Sequence, residues 1–155
     1  MSDLSPKPEA SRRKRAEASI ADLFGADQDR ILEGRSILIV DDSEDGRRLL
    51  GRLLAREGAT VETLSGGFST LKRFEQEDAR FDLILMDVEM PDLDGRETVT
   101  QLRDVGVTTP IVALTAHQDQ SQLDRCRSAG FDDVTSKPIE VDSFVASCRR
   151  WIARG

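Results

Sequence analysis

The sequence predicts an α/β fold in which one parallel sheet is covered by helices on both faces, and three observations carry that prediction. Short apolar runs alternate with stretches whose apolar residues recur at helical spacing. Most of these runs stop abruptly at a polar or charged residue that opens a loop. The third run, Phe81-Asp82-Leu83-Ile84-Leu85-Met86, leads straight into Asp87, and Pro91 with Asp94-Gly95 keeps a helix from starting at once. Asp87 is therefore expected at the carboxyl end of a buried strand, the edge at which open α/β sheets bind ligands.

Composition bounds the reading. At 155 residues the chain is long enough for one domain with a proper core. A net charge of −7 argues against nucleic acid as a direct partner. No apolar run is long enough to span a bilayer, and the polar N-terminus lacks a signal-peptide core, so a cytoplasmic protein without a membrane partner is expected. Cys126 and Cys148 have no C-x-x-C spacing and read as small buried thiols on helix faces.

Residues 1–34 form an N-terminal extension of different character. It carries the basic run Arg12-Arg13-Lys14-Arg15, read as a solvated tail or else as a docking arm for an acidic partner or an anionic surface, and then Ile20, Leu23 and Phe24, spaced as a short amphipathic helix that Gly25 ends. Leu32-Glu33-Gly34-Arg35 looks like the join to a regular domain over residues 35–155.

In that domain Ser36 to Val40 is the first strand, ending in Asp41-Asp42-Ser43. Leu49, Leu50, Leu53 and Leu54 mark one face of the following helix, and Gly58 sits where a helix C-terminal glycine belongs. Ala59 to Leu64 is the second strand. Gly66-Gly67 turns the chain, and Phe68, Leu71 and Phe74 mark the next helix face. After the third strand, Val99, Leu102 and Val105 give helical spacing. Pro110 to Leu114 is the fourth strand, stopped by Thr115. Leu123 and Cys126 lie on a polar helix ending at Gly130, and Phe131 to Ser136 is a weaker fifth strand closed by Lys137-Pro138. Val141, Phe144, Val145, Cys148, Trp151 and Ile152 form the best amphipathic helix in the chain. Five strands alternating with five helices fit a flavodoxin-like (βα)5, doubly wound five-stranded parallel sheet of order 2-1-3-4-5, with the first and third strands side by side at a switch point.

The strand ends then define a site. The first strand ends in Asp41 and Asp42, the third in Asp87, the fourth in Thr115 and the fifth in Lys137, and this strand order brings all five to one edge. Three crowded carboxylates repel one another and call for a cation. Oxygen ligands shared with phosphate suit Mg²⁺, while a hydroxyl and an ammonium opposite would hold phosphate oxygens. The arrangement suits placing a phosphoryl group on a carboxylate.

Val40-Asp41-Asp42-Ser43, Met86-Asp87-Val88-Glu89-Met90-Pro91, Leu114-Thr115-Ala116 and Ser136-Lys137-Pro138 together resemble the motifs of two-component receiver domains, over about Ser36 to Ile152. The resemblance implies a phosphoacceptor signalling domain of a phosphorelay. Asp87 would be phosphorylated by a phosphohistidine donor, a histidine kinase or a histidine phosphotransfer protein, and a downstream protein would read the result. It also implies that Asp42 and Asp87 ligate Mg²⁺, that Asp41 acts through water, and that the Glu89 main-chain carbonyl is a further ligand. Thr115 would be the switching hydroxyl and Lys137 the phosphate counter-ion, with a cis Lys137-Pro138 bond. Such a module is not an enzyme beyond taking the phosphoryl group and releasing it.

Two positions depart from the family pattern. Val134 stands where many members carry Tyr or Phe, three residues before the lysine, and Glu89, two after the phosphoacceptor, is acidic and expected over the mouth of the site near in-line water. His117, the only histidine, has no partner motif and is not read as a ligand.

Other readings fit less well. Aspartate-nucleophile phosphatases need an Asp where Glu89 stands, and no nucleotide-binding glycine motif is present. A receiver-like interaction module without phosphorylation would not need the full set of acids, threonine and lysine. With no output domain after Gly155, two readings stay open: a stand-alone receiver, which Met1 suggests, or the receiver end of a hybrid kinase, whose linkers the Leu32-Glu33-Gly34-Arg35 join resembles.

Overall fold

The computed structural model describes residues 30–155. The basic run and the stripe of Ile20, Leu23 and Phe24 lie outside the described residues. A compact unit runs from Leu32 to Gly155. Leu32 is fully buried and donates its N–H to the Glu57 carbonyl at 2.9 Å, so the packed region takes in the residues just before Arg35.

The elements follow one another as β1 (Ser36–Val40), α1 (Glu44–Arg56), β2 (Thr60–Leu64), α2 (Gly67–Arg73), β3 (Leu83–Asp87), α3 (Gly95–Asp104), β4 (Ile111–Thr115), α4 (Gln120–Ala129), β5 (Asp133–Ser136) and α5 (Val141–Arg154). The five strands form one sheet of order β2-β1-β3-β4-β5, and all pairs are parallel. The expected alternation and order are both present. Register lines up the strand ends: Val40 lies opposite Met86, Asp87 opposite Leu114, and Thr115 opposite Ser136.

The core sits on the three central strands. Every residue of β3 and β4 is buried, as is β1 after Ser36. Each large apolar side chain taken out of water there contributes about 2 kcal/mol before the chain entropy is counted. The edge strands β2 and β5 are only partly covered, which explains why β5 reads weakly in the sequence.

Helix ends follow local chemistry. Ser43, Asp94, Asp119 and Glu140 each accept a main-chain N–H in the first turn of α1, α3, α4 and α5. Gly58, at φ +101°, follows the end of α1 in the left-handed region, and a Cβ there would fall 2.7 Å from the Glu33 Cα.

Four apolar residues assigned to helix faces point outward instead. Leu49 and Val105 are 73% exposed, Phe68 59% and Val141 46%. In α1 the leucine pairs make a stripe wider than the face the sheet covers, so Leu50 and Leu54 go in and Leu49 stays out. Val105 and Val141 sit at helix ends, and Phe68 is turned out beside the buried Gly67 and Thr70.

β2 and β4 start one residue later than expected, and β3 and β5 two. Asp82 spends its carboxylate on the Ser36 N–H at 2.8 Å, and Phe81 packs sideways on Phe74 under Arg73, so β3 begins at Leu83. Phe131 is buried and donates its N–H to the Cys126 carbonyl, which closes α4 before β5 begins at Asp133.

Cys126 and Cys148 are buried free thiols, and burial pushes the Cys148 thiol up to about 12. Among the described residues no helix is long and apolar enough to cross a membrane.

Candidate functional site

At the carboxyl edge of β1 and β3, Asp41, Asp42 and Asp87 each offer a carboxylate oxygen, and these atoms lie within 4.8 Å of one another. Asp41 and Asp87 are each 5% exposed, whereas Asp42 is open to solvent. The loop after β1 is fixed from several sides. The Ser43 N–H donates to Asp41 Oδ1 at 2.9 Å, the Asp41 N–H donates to the Leu64 carbonyl at 3.1 Å, and the Arg47 guanidinium holds the Asp41 carbonyl at 2.8 Å.

Lys137 closes the cluster from the end of β5. Its Nζ stands 3.1 Å from Asp87 Oδ1 and 3.6 Å from Asp41 Oδ2. Its main-chain N–H donates to the Thr115 carbonyl at 2.9 Å, and the bond to Pro138 is cis. Burial pushes the Asp87 carboxyl up to about 6 against the pull of Lys137, with Asp41 and Asp42 adding to the rise. For Lys137 burial works the other way, but the attraction of Asp87 and Asp41 outweighs it and holds the ammonium above its usual range. One cation is thus shared between two buried carboxylates and leaves the cluster short of positive charge. Three oxygens converging from three carboxylates, two of them buried, are the hard donor set that a small divalent cation takes.

Thr115 lies across the sheet edge at the end of β4, fully buried. Its hydroxyl oxygen accepts the His117 N–H at 3.0 Å, and its proton is directed to Glu89 Oε1 at a long 3.4 Å. The other Glu89 oxygen, Oε2, accepts from Gln122 Nε2 at 3.1 Å. The Glu89 carboxylate is therefore engaged sideways, by a threonine and by α4, and does not stand free over the mouth of the site. It is not one of the three clustered carboxylates; the role the resemblance gives Glu89 runs through its main-chain carbonyl, whatever its side chain does. His117 contributes only its main-chain N–H to this group.

Three residues here were not singled out from the sequence. Gln122 is 5% exposed although it lies on a helix of mostly polar residues. Asp92 accepts the Gly67 and Phe68 N–H groups at the start of α2, at 3.2 and 3.1 Å, and ties the loop after β3 to that helix. Arg47 supports the Asp41 carbonyl. Only Arg47 carried a sequence signal, as a cation in the first turn after an Asp pair; Asp92 and Gln122 act across long sequence separations.

The profile of the response regulator receiver domain family matches residues 37–149. The two-component response regulator ORR41 of rice is 38% identical over 110 residues, which cover 70% of this chain and 87% of the rice protein. The sensor histidine kinase RcsC of Salmonella typhi is 35% identical over 108 residues, and GacS of Pseudomonas protegens 32% over 162 residues. This chain spans only 11% and 17% of the length of those two kinases. Among solved structures, the chemotaxis protein CheY4 of Vibrio cholerae superposes with a TM-score of 0.70 at 30% identity, over 75% of this chain and 97% of that one. A two-component response regulator from Clostridium difficile, at 23% identity and TM-score 0.72 over 77% of this chain and 97% of that one, shares the fold. By its five parallel strands, its strand-end motifs and these likenesses, the chain belongs to the response regulator receiver domains of two-component systems.

Proposed function

We propose that the chain accepts a phosphoryl group on Asp87 from the phosphohistidine of a histidine kinase or histidine phosphotransfer protein, and passes the change to a downstream protein. The observation that carries this is a buried carboxylate at a strand end, 3.1 Å from a lysine and within reach of two further carboxylates. Burial holds Asp87 up to about 6, which still leaves the carboxylate mostly ionised at neutral pH.

In the reaction an Asp87 oxygen attacks phosphorus and the P–N bond to the donor imidazole breaks. Its electron pair stays on the ring nitrogen, which takes a proton from solvent, and an acyl phosphate remains on Asp87. Catalysis of such a loose transfer is mostly positioning and charge neutralisation. Asp42 and Asp87, with Asp41 through water and the Glu89 carbonyl, would hold Mg²⁺, which supplies positive charge beside the phosphoryl oxygens. Lys137 would move its ammonium from the Asp87 carboxylate to a phosphoryl oxygen, and Thr115 would turn its hydroxyl to another. The module acts as a switch without being an enzyme in the usual sense, since the phosphoryl group leaves again by hydrolysis. A cytoplasmic setting without nucleic acid or membrane contact fits the acidic charge of the chain.

The test is incubation with acetyl phosphate and Mg²⁺, followed by intact mass and mapping of the modified residue. A single phosphate-mass adduct on Asp87 is expected. Failure of the wild type to gain phosphate from acetyl phosphate or from a phosphorylated histidine phosphotransfer protein would overturn the proposal.

A further inference from the structure

We infer that Gln122 is a positioning residue that holds the Glu89 carboxylate on the Thr115 hydroxyl, so that helix α4 sets how readily that hydroxyl can be given to a phosphoryl group. This rests on the reading of Asp87 as the phosphoacceptor.

A threonine hydroxyl has one proton to donate. In the structure that proton faces Glu89 Oε1 at 3.4 Å, while the oxygen already accepts the His117 N–H. The hydroxyl can donate to Glu89 or to a phosphoryl oxygen, but not to both. Glu89 is therefore a competitor for it, and the competition depends on where the carboxylate is held. Glu89 itself is exposed, so its position depends on what holds its carboxylate. The group that fixes it is Gln122, whose amide is buried, on α4, and occupied at both ends. Nε2 donates to Glu89 Oε2 at 3.1 Å, and Oε1 accepts from the Arg125 guanidinium at 3.3 Å. The Gln122 main-chain N–H is also taken, by Asp119 at the start of α4 at 2.8 Å. A buried amide with its backbone and both side-chain ends engaged holds its partner more firmly than an exposed carboxylate holds itself.

The chain of contacts runs Thr115–Glu89–Gln122–Arg125, from the site to the outer surface of α4. When Thr115 turns away, Glu89 loses one of its two hydrogen-bond partners, and Gln122, the other, is the first residue of α4 to register that loss. With Val134 where many receivers have an aromatic, this bridge gives the site a route to the surface that does not pass through that position.

The experiment is titration of the full chain with beryllofluoride, a phosphoryl mimic, in Mg²⁺ by isothermal calorimetry. Wild type, Gln122→Met, Gln122→Leu, Glu89→Ala and the Glu89→Ala/Gln122→Met double variant are compared, with folding checked by thermal melts. Each Gln122 variant is expected to bind about threefold more tightly than wild type, the scale of one weak, partly exposed hydrogen bond. Glu89→Ala is expected to gain at least as much, and the double variant no more than Glu89→Ala alone, because Gln122 acts through Glu89. Gln122→Met is close to the glutamine in length and keeps the test open if Gln122→Leu does not fold. Unchanged or weaker binding in the folded Gln122 variants overturns the inference, as does a gain from Gln122→Met that persists in the Glu89→Ala background. In both cases a wild type that binds beryllofluoride leaves the phosphoacceptor reading standing. A wild type that binds none overturns that reading and the inference with it.

Discussion

The two sides of the site are built on different principles. On the acid side, Asp41, Asp87 and Lys137 project from the ends of β1, β3 and β5, the first two nearly excluded from solvent, and are joined by ion pairs of 3.1 and 3.6 Å. On the hydroxyl side, Thr115 is joined to Glu89, and Glu89 to Gln122, by single hydrogen bonds of 3.4 and 3.1 Å. The first side is under electrostatic stress, and its carboxylates are well anchored; its natural response to a ligand is to gather positive charge around carboxylates that stay in place. The second is close to neutral in cost and loosely tied; its natural response is to change partners. A receiver needs both, a fixed seat for the phosphoryl group and a group free to move toward it.

The contrast can be broken at four points. Asp87→Asn should abolish phosphorylation by acetyl phosphate, because the nucleophilic oxygen is gone at nearly constant volume; a variant that still gains phosphate mass would place the acceptor elsewhere. Lys137→Ala should slow phosphorylation roughly ten- to a hundredfold, the range set by losing one charged group from a preorganised site that is partly open to water. Mg²⁺ affinity should change much less, so equal damage in parallel metal titrations and phosphorylation assays would mean that Lys137 merely holds the site together.

Mg²⁺ should raise the melting temperature of the wild type by several degrees, since a ligand at a hundred times its Kd stabilises the folded state by about 2.7 kcal/mol. Asp42→Ala should erase most of that rise; an unchanged response would put the metal away from this cluster. The smallest effect concerns protons. The Asp87 carboxyl titrates near 6 in the folded chain against 3.8 unfolded. The folded state therefore holds this proton more tightly, and metal-free stability should fall as pH rises from about 4 to about 6, by roughly 1–2 kcal/mol. Urea melts in EDTA across this range would show it, and Asp87→Asn should remove it. A wild-type stability that instead climbs through this window once the Asp87→Asn profile is subtracted would show that Lys137 outweighs burial.

The acid side was legible in the sequence and much of the hydroxyl side was not. Asp41, Asp42, Asp87 and Thr115 punctuate apolar runs and Lys137 a weaker one, so strand periodicity and parallel order alone bring them to one edge. Gln122 has no such marker. It lies on a polar helix among Gln120, Ser121 and Asp124, and only packing of the start of α4 near the loop after β3 buries it. Helix faces were readable to within one residue's rotation, and that is the margin by which Leu49 was placed inside. The late start of β3 has the same origin, because the Asp82 carboxylate binds Ser36, a residue far away in sequence.

The chain has one tryptophan and no tyrosine. Trp151, on α5, is 5% exposed, donates its indole N–H to Asp133 Oδ2 at 2.8 Å, and meets the Phe144 ring edge-on with centroids 6.0 Å apart. Asp133 opens the short strand that ends beside Lys137. Ultraviolet emission from the described domain therefore comes from a single indole hydrogen-bonded to β5, and a displacement of that strand that breaks this bond is expected to shift its wavelength or yield. The fold carries its own optical gauge on the strand that delivers the lysine, and the gauge needs no label.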